Sequence, residues 1–323
     1  MVVPTDAGGS ADRIGRLYAK YLPKFLPGSP NVIVRNMPGG NTIIAANFFY
    51  GSKTDGLTLY TSPSSTALED LLGNKALKFS LRELTAVAAP PASTNVVFVR
   101  PEVIEKPEDI LKAQRLIWGQ GAGSSTSFLL AAEMIGIPVA KAVFSWSGQA
   151  DAFRAFLAGE TNISSVSSTG FDAQVKPFVE RGEAKLLMQS GMIDETGSVI
   201  RHPSFPNLMT VVDLGEKVNG KAPSGMAFDV FKAIAASLDS MKQILFLPPN
   251  TPDSIVQAYW DSADKMVKDP DFLKESSALT DAGDTWRAGK AFDQMFHKSY
   301  GMKPEASEWL KNTMQTKYGL VLQ

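Results

Sequence analysis

The stretch Pro4-Thr-Asp-Ala-Gly-Gly-Ser-Ala-Asp12 joins an apolar pair, Val2-Val3, to residues Ile14, Leu17, Tyr18, Tyr21, Leu22 and Phe25, which recur at helical spacing. A glycine turn that feeds a helix start offers free backbone N–H groups at the positive end of the helix. That combination holds an anion. Four other stretches repeat the pattern: Thr61 to Asp70 (TSPSSTALED), Gly119 to Leu130 (GQGAGSSTSFLL), Ser145 to Phe153 (SWSGQADAF) and Val166 to Ala173 (VSSTGFDA). Each leaves an apolar run through Gly, Ser or Thr and enters a helical pattern. Little Lys or Arg is interleaved; Arg13 adjoins the first turn. Uncharged donors of this kind suit a carboxylate that must bind and leave. Any one such turn has an ordinary structural reading, because Ser, Thr and Asp are common helix caps. Five in one chain point to some of them converging on a ligand.

Other chemistries fit less well. The loop Gly119-Gln-Gly-Ala-Gly-Ser124 places Ser124 where a dinucleotide fingerprint needs its last glycine. No G-x-S-x-G elbow or Walker loop occurs. His202 and His297 have no triad or metal spacing, and read as loop or helix-surface residues. The chain has no cysteine, which removes thiolate ligands, disulfides and a cysteine nucleophile. Asp6 and Asp12 are the carboxylates that an enzyme would use as a base, although a carboxylate at a helix start ordinarily complements the helix dipole. Glu69 and Asp70 are expected to face solvent. No metal, no cofactor and no catalytic set is expected.

The elements that must carry these turns alternate along the chain. Strand-like runs lie at 31–37, 57–61, 95–99, 115–119, 141–146, 162–168, 185–190 and 243–248. Helical patterns lie at about 41–51, 124–135, 149–158 and 172–181, and four more fill the last seventy residues. This order predicts an α/β architecture with largely parallel sheets. Domain joins are expected in VRPEVIEKPEDI, where the strand-like run 95–99 ends and prolines and charges follow, and in the Gly/Pro/Lys-rich stretch 215–225.

The 323 residues suffice for two ordinary domains. Formal net charge is −1, so no overall field attracts nucleic acid. No apolar run has the length of a membrane span. Met1 leads directly into strand-like residues, so the chain reads without a signal peptide.

VVPTDAGGSADRIGRLYAKYL resembles the opening of the tricarboxylate-transporter extracytoplasmic receptors, the Bug or TctC-like proteins. Segments VIVRNMPGGNTIIAANFFYGSKTDGLTLYTSPSS, GQGAGSSTSFLLAAEMIG, FSWSGQADAFRAFLAGETNISSVSSTGFDAQVKPFVERGEAKLL and LPPNTPDSIVQAYWDSADKMVKDPDF are similar to later parts of that family, in order. The resemblance implies a two-lobed, type II periplasmic binding protein fold with two hinge crossings. Residues 1–101 and 226–323 form lobe 1 with a helical C-terminal cap, and 102–225 form lobe 2. It implies an exported, periplasmic monomer, its signal peptide removed, that binds an organic carboxylate and serves a membrane permease. By position, Thr5, Ala7, Gly8 and Gly9 would hold one carboxylate, flanked by Ser62, Ser64 and Ser65. Gly121, Ser124, Thr126 and Ser127 would contribute from lobe 2, and Trp146, Gly148, Ser168 and Thr169 would close over the ligand. Phe228, with Phe144 and Trp146, hints at an aromatic or long-chain acid. Thr5 and Asp6 stand where the family has an aromatic and a small residue, and Phe128 lies near the place of a family histidine.

Overall fold

The computed structural model describes residues 1–144, 149–194, 196–239, 242–280 and 285–322. The chain divides into two units, Met1–Ala92 with Met241–Gly301, and Ser93–Ser240 with Met302–Gln323. It passes between them three times, not twice, and each break departs from the expected one. Asn95–Val99 forms ladders with both Ile163–Ser167 and Lys185–Gln189, so its backbone hydrogen bonds commit it to the second unit. The first join therefore precedes that strand. Helix Met226–Ile234 buries Val230, Phe231 and Ile234 and packs on helix Ala122–Ile135 of the second unit. The second join moves accordingly from residue 225 to 240. The last helix, Pro304–Tyr318, also packs with the second unit, where Lys317 and Tyr318 both bind the Glu133 carboxylate. The helical cap on the first unit is thus Asp253–Met266, Pro270–Ser276 and Gly289–Ser299.

The first unit's sheet runs Arg287–Ala288, Thr85–Ala89, Ile244–Leu247, Tyr60–Ser62, Val2–Val3, Arg35–Asn36. Val2–Val3 is parallel to both neighbours, whereas Ile244–Leu247 is antiparallel to both of its own. The second unit's sheet runs Val139–Val143, Leu116–Gly119, Ile163–Ser167, Asn95–Val99, Lys185–Gln189. Here Leu116–Gly119 is parallel to its neighbours and Asn95–Val99 antiparallel to both of its own. The sheets are therefore mixed. In each, the strand arriving from the other unit enters antiparallel. Thr85–Ala89 escapes the apolar pattern because it is built mainly of alanines. The helix expected at 172–181 is two, Ser168–Gln174 and Lys176–Glu180. Pro177 lacks the N–H that would continue the first.

Helix Ser10–Tyr21 turns Ile14, Leu17, Tyr18 and Tyr21 inward, as their spacing requires, onto Leu245, Leu247, Phe272 and Trp286. Tyr18 and Phe272 meet Trp286 edge-on, at 5.8 and 4.7 Å between ring centroids. Gly15 lets this helix lie against the sheet: a Cβ there would stand 2.8 Å from Val3 Cγ2 and 3.4 Å from Thr61 Oγ1. The second unit's core holds Phe98, Phe156, Phe171 and Val175, with Trp118 stacked on Phe128 at 3.9 Å.

Gly15→Ala gains helix propensity, up to ~1 kcal/mol, but crowds Val3. Overpacking costs about 1–3 kcal/mol. Urea denaturation of the variant should show a net loss of stability; a net gain would mean that the helix does not press on Val3.

Candidate functional site

In the first unit the parallel register Val2↔Tyr60 sets the turn after Val3 beside the turn after Ser62. Adjacent strands lie about 4.8 Å apart, so two helix starts share one sheet edge. These are Ser10–Tyr21 and Ser64–Leu71. Gly9 and Pro63 occupy their cap positions, and neither helix receives a side-chain cap. Neither cap residue can offer its side chain to the first-turn N–H groups of its helix, since Gly9 has none and Pro63 carries no acceptor.

A buried carboxylate shapes the first of these turns. Asp12, 2% exposed, accepts from Gly8 N–H at 2.8 Å, Arg16 Nε at 2.9 Å and Asn36 Nδ2 at 2.9 Å. The Asn36 amide also donates to the Thr5 carbonyl at 2.9 Å. Arg16 is the main reason that the Asp12 carboxyl is held down at about 2; burial opposes it, and Gly8 and Asn36 reinforce it. A carboxylate so engaged has little affinity for a proton at neutral pH. The base role available to Asp12 from sequence is therefore corrected: Asp12 templates the turn. Asp6 is exposed.

Of the residues expected to bind, Ala7, Gly8 and Gly9 are exposed. Gly8 adopts φ +86°, the left-handed region, with open space where a Cβ would be. Its N–H donates to Asp12. The Thr5 hydroxyl is buried without a hydrogen-bond partner. Ser62 is buried and its hydroxyl reaches the Pro63 carbonyl at 3.5 Å. Ser64 and Ser65 are half-buried in the first turn of their helix. Thr66 fixes that turn from beneath, bonding the Tyr60 and Thr42 hydroxyls at 2.8 Å each. Glu69 and Asp70 do not face solvent as expected. Glu69 accepts from the Asn41 and Asn74 amides. Asp70 accepts from Ser80, Leu81 N–H and Tyr300, and burial pushes its carboxyl up.

The second unit repeats the arrangement. The register Trp118↔Ile163 places the Gly121 turn beside the turn at Ser167. Gln120 Nε2 ties the two strand ends together, donating to Ser165 O at 2.6 Å and Ser164 Oγ at 3.3 Å. Helix Ala122–Ile135 starts at Gly121 without a side-chain cap. Ser125 pins this start, accepting from Trp118 Nε1 at 2.8 Å and donating to the Gly121 carbonyl at 2.9 Å. Thr126 is fully buried and its hydroxyl has no hydrogen-bond partner among the described residues; Ser127 is buried. Ser124 lies in the helix's first turn. Ser168 is buried, its hydroxyl accepting from Thr94 N–H at 3.3 Å. Thr169 is exposed and bonds the Ser167 hydroxyl at 3.0 Å. Trp146 and Gly148 lie outside the described residues. Phe228 is half-buried beneath Lys232, whose Nζ sits 4.8 Å from the ring centroid. It belongs to the second unit, not the first.

Of the two histidines, His202 is fully buried, not at the surface, and its Nδ1 accepts from Ser204 N–H at 3.2 Å. Among the described residues no group of three His, Asp or Glu could hold a metal ion. No helix is long and apolar enough to cross a membrane. Sequence reading passed over Asn36, Arg16, Gln120 and Ser125. Asn36 alone left a sign, an amide inside an otherwise apolar run.

The family model described as the tripartite tricarboxylate transporter family receptor matches residues 15–295. The chain belongs to this family. The UPF0065 protein in the gbd 5′ region of Cupriavidus necator is 26% identical over 293 residues, covering 87% of this chain and 77% of that protein. A TctC solute-binding protein from Polaromonas, crystallised without ligand, superposes with a TM-score of 0.70 at 19% identity, over 97% of this chain and 96% of that one. Rpa4515 of Rhodopseudomonas palustris, solved with adipate, gives 0.63 at 17% identity, over 97% and 94%. The receptor has their two-lobed α/β fold.

In this receptor Asp12→Asn keeps the shape of the side chain but removes the charge that Arg16 and Gly8 address. Hydrogen bonds to a charged group are worth about 1.5–3 kcal/mol, and a loss of that size is expected in urea denaturation at pH 7. The folded carboxyl titrates near 2, below its unfolded value. Its contribution is therefore complete above about pH 4 and fades as pH falls through 2. The gap between wild type and Asp12→Asn should accordingly close only in strong acid.

Proposed function

We propose that this receptor captures an organic dicarboxylate and delivers it to the membrane subunits of a secondary transporter, working in the periplasm as a monomer. The observation that carries this reading is the same in both units. Helix starts at neighbouring strand ends lack side-chain caps, and each unit adds a buried threonine hydroxyl without a partner, Thr5 in one and Thr126 in the other. A buried hydroxyl without a partner costs free energy, and a ligand carboxylate would relieve it. The turns after Val3 and Ser62 in the first unit, and the Gly121 turn in the second, are each suited to a carboxylate. Donation is by N–H and O–H groups, while the nearby Arg16 is already paired with Asp12. The acid is thus held by several modest bonds, which suits release to a transporter. The adipate in the R. palustris relative supports a linear acid with two carboxylates.

Thermal melting against a panel of carboxylates including adipate tests the reading. A ligand at 100 times its Kd stabilises by about 2.7 kcal/mol, so one or more diacids should raise the Tm by several degrees. No shift with any member would contradict the proposal.

Thr126→Val separates binding from folding. Apo stability should hold or rise, because the change removes an unsatisfied buried hydroxyl. Affinity for the responding acid should fall about 10- to 100-fold, the loss of one bond to a charged group, and Thr126→Ser should recover most of it. Calorimetric titration reads both variants; equal affinity in Thr126→Val would exclude this hydroxyl from the site.

A further inference from the structure

Helix Ile43–Tyr50, Ile-Ile-Ala-Ala-Asn-Phe-Phe-Tyr, is apolar on nearly every side, yet it lies on the surface of the first unit. Ala45, Ala46 and Phe49 face the core; Ile44 and Phe48, one turn apart, are 55% and 45% exposed. A helix that is apolar all round is ordinarily covered on every side. Here the outer side meets the edge strand Arg35–Asn36, where the Arg35 guanidinium lies 5.1 Å from the centre of the Phe48 ring; Ile33, two residues before that strand, is 75% exposed. On the flank, Asn47 accepts from Lys78 N–H and donates to the Ala76 carbonyl, at 2.9 and 2.8 Å. This brings exposed Lys75 and Lys78 to the margin of the patch. None of Arg35, Lys75 and Lys78 has a carboxylate within ion-pair distance among the described residues. The patch is also held rigid. Four successive residues before the helix, Gly39 to Thr42, have positive φ; for the β-branched Thr42 this is a strained conformation. Its hydroxyl bond to Thr66 holds it there.

We propose that this face docks the membrane partner of the transport system, through a surface that is apolar at its centre and acidic at its margin. An aromatic–guanidinium pair with aliphatic neighbours inside a polar rim has the make-up of a protein–protein interface. The unpaired cations require acidic groups opposite, and a rigid face loses little entropy on docking. The inference rests on the transport reading above.

The test is co-sedimentation of the full chain, with adipate present, on right-side-out vesicles carrying the transporter's membrane subunits and on protein-free vesicles of the same lipids. The wild type should sediment with the first and stay in solution with the second. Arg35→Glu, Phe48→Glu and Ile44→Glu should each cut the bound fraction at least tenfold and leave the adipate-induced rise in Tm unchanged; both substituted apolar residues are exposed, so folding is retained. Unchanged sedimentation of the variants, no binding by the wild type, binding to protein-free vesicles, or a dimer in sedimentation velocity that Phe48→Glu abolishes would each overturn the proposal. The last two would assign the face to lipid or to a second copy. A carboxylate panel without effect, alongside vesicle binding that the variants lose, would overturn the transport ligand reading and leave the docking face standing.

Discussion

A buried negative charge lies directly beneath the turn assigned to bind another. Asp12 accepts from Gly8, Arg16 and Asn36, and through Asn36 it also fixes the carbonyl of Thr5. Without that anchor the loop from Thr5 to Gly9 would be an exposed glycine-rich segment with many conformations. With it, the N–H groups that begin helix Ser10–Tyr21 hold one arrangement before any ligand arrives. Arg16 matters as much as the carboxylate, because its charge cancels that of Asp12 locally. What remains for the ligand is the dipole of the helix and neutral donors. With the Arg16 charge already spent on Asp12, the proposed reading gives selectivity for an anion together with an affinity from which release is possible.

The second unit reaches the same end with neutral groups. Ser125 binds the Trp118 ring nitrogen and the Gly121 carbonyl, and Gln120 ties two strand ends. One unit uses an ion pair and the other a hydroxyl and an amide, but in both the support is buried and the binding groups are left uncapped. The partnerless hydroxyls of Thr5 and Thr126 belong to the same logic. Each is a small cost that, on the proposed reading, a bound carboxylate would relieve.

Much of this was legible from residue patterns. Helix Ser10–Tyr21 announced itself by the spacing of Ile14, Leu17, Tyr18 and Tyr21, and Asn95–Val99 by its unbroken apolar run. The recurrence of Gly/Ser/Thr turns at strand ends marked the edges on which the candidate site lies. What was not legible depended on partners distant in sequence. The role of Asp12 needs Asn36, twenty-four residues away, and nothing in the local sequence tells a structural carboxylate from a catalytic one. Glu69 looked like a solvent-facing residue because its two amide partners, Asn41 and Asn74, are brought to it only by the fold. The joins between units were misplaced for a related reason. Prolines and glycines in 215–225 suggested a linker, but the allegiance of helix Met226–Ile234 is decided by the face it buries, and that requires knowing its neighbours. The left-handed run from Gly39 to Thr42 was likewise hidden, since threonine rarely takes that conformation.

The central claim is that uncapped helix starts, held in place by Asp12 in one unit and Ser125 in the other, are the proposed seats for a ligand carboxylate. An amide-resolved NMR titration with adipate measures this most directly. The account predicts the largest, saturable shifts at Gly9, Ser10, Ser64 and Ser65 in the first unit and at residues 122–124 in the second. Saturable shifts confined to other surfaces, or none at these amides at concentrations that raise the Tm, would contradict it.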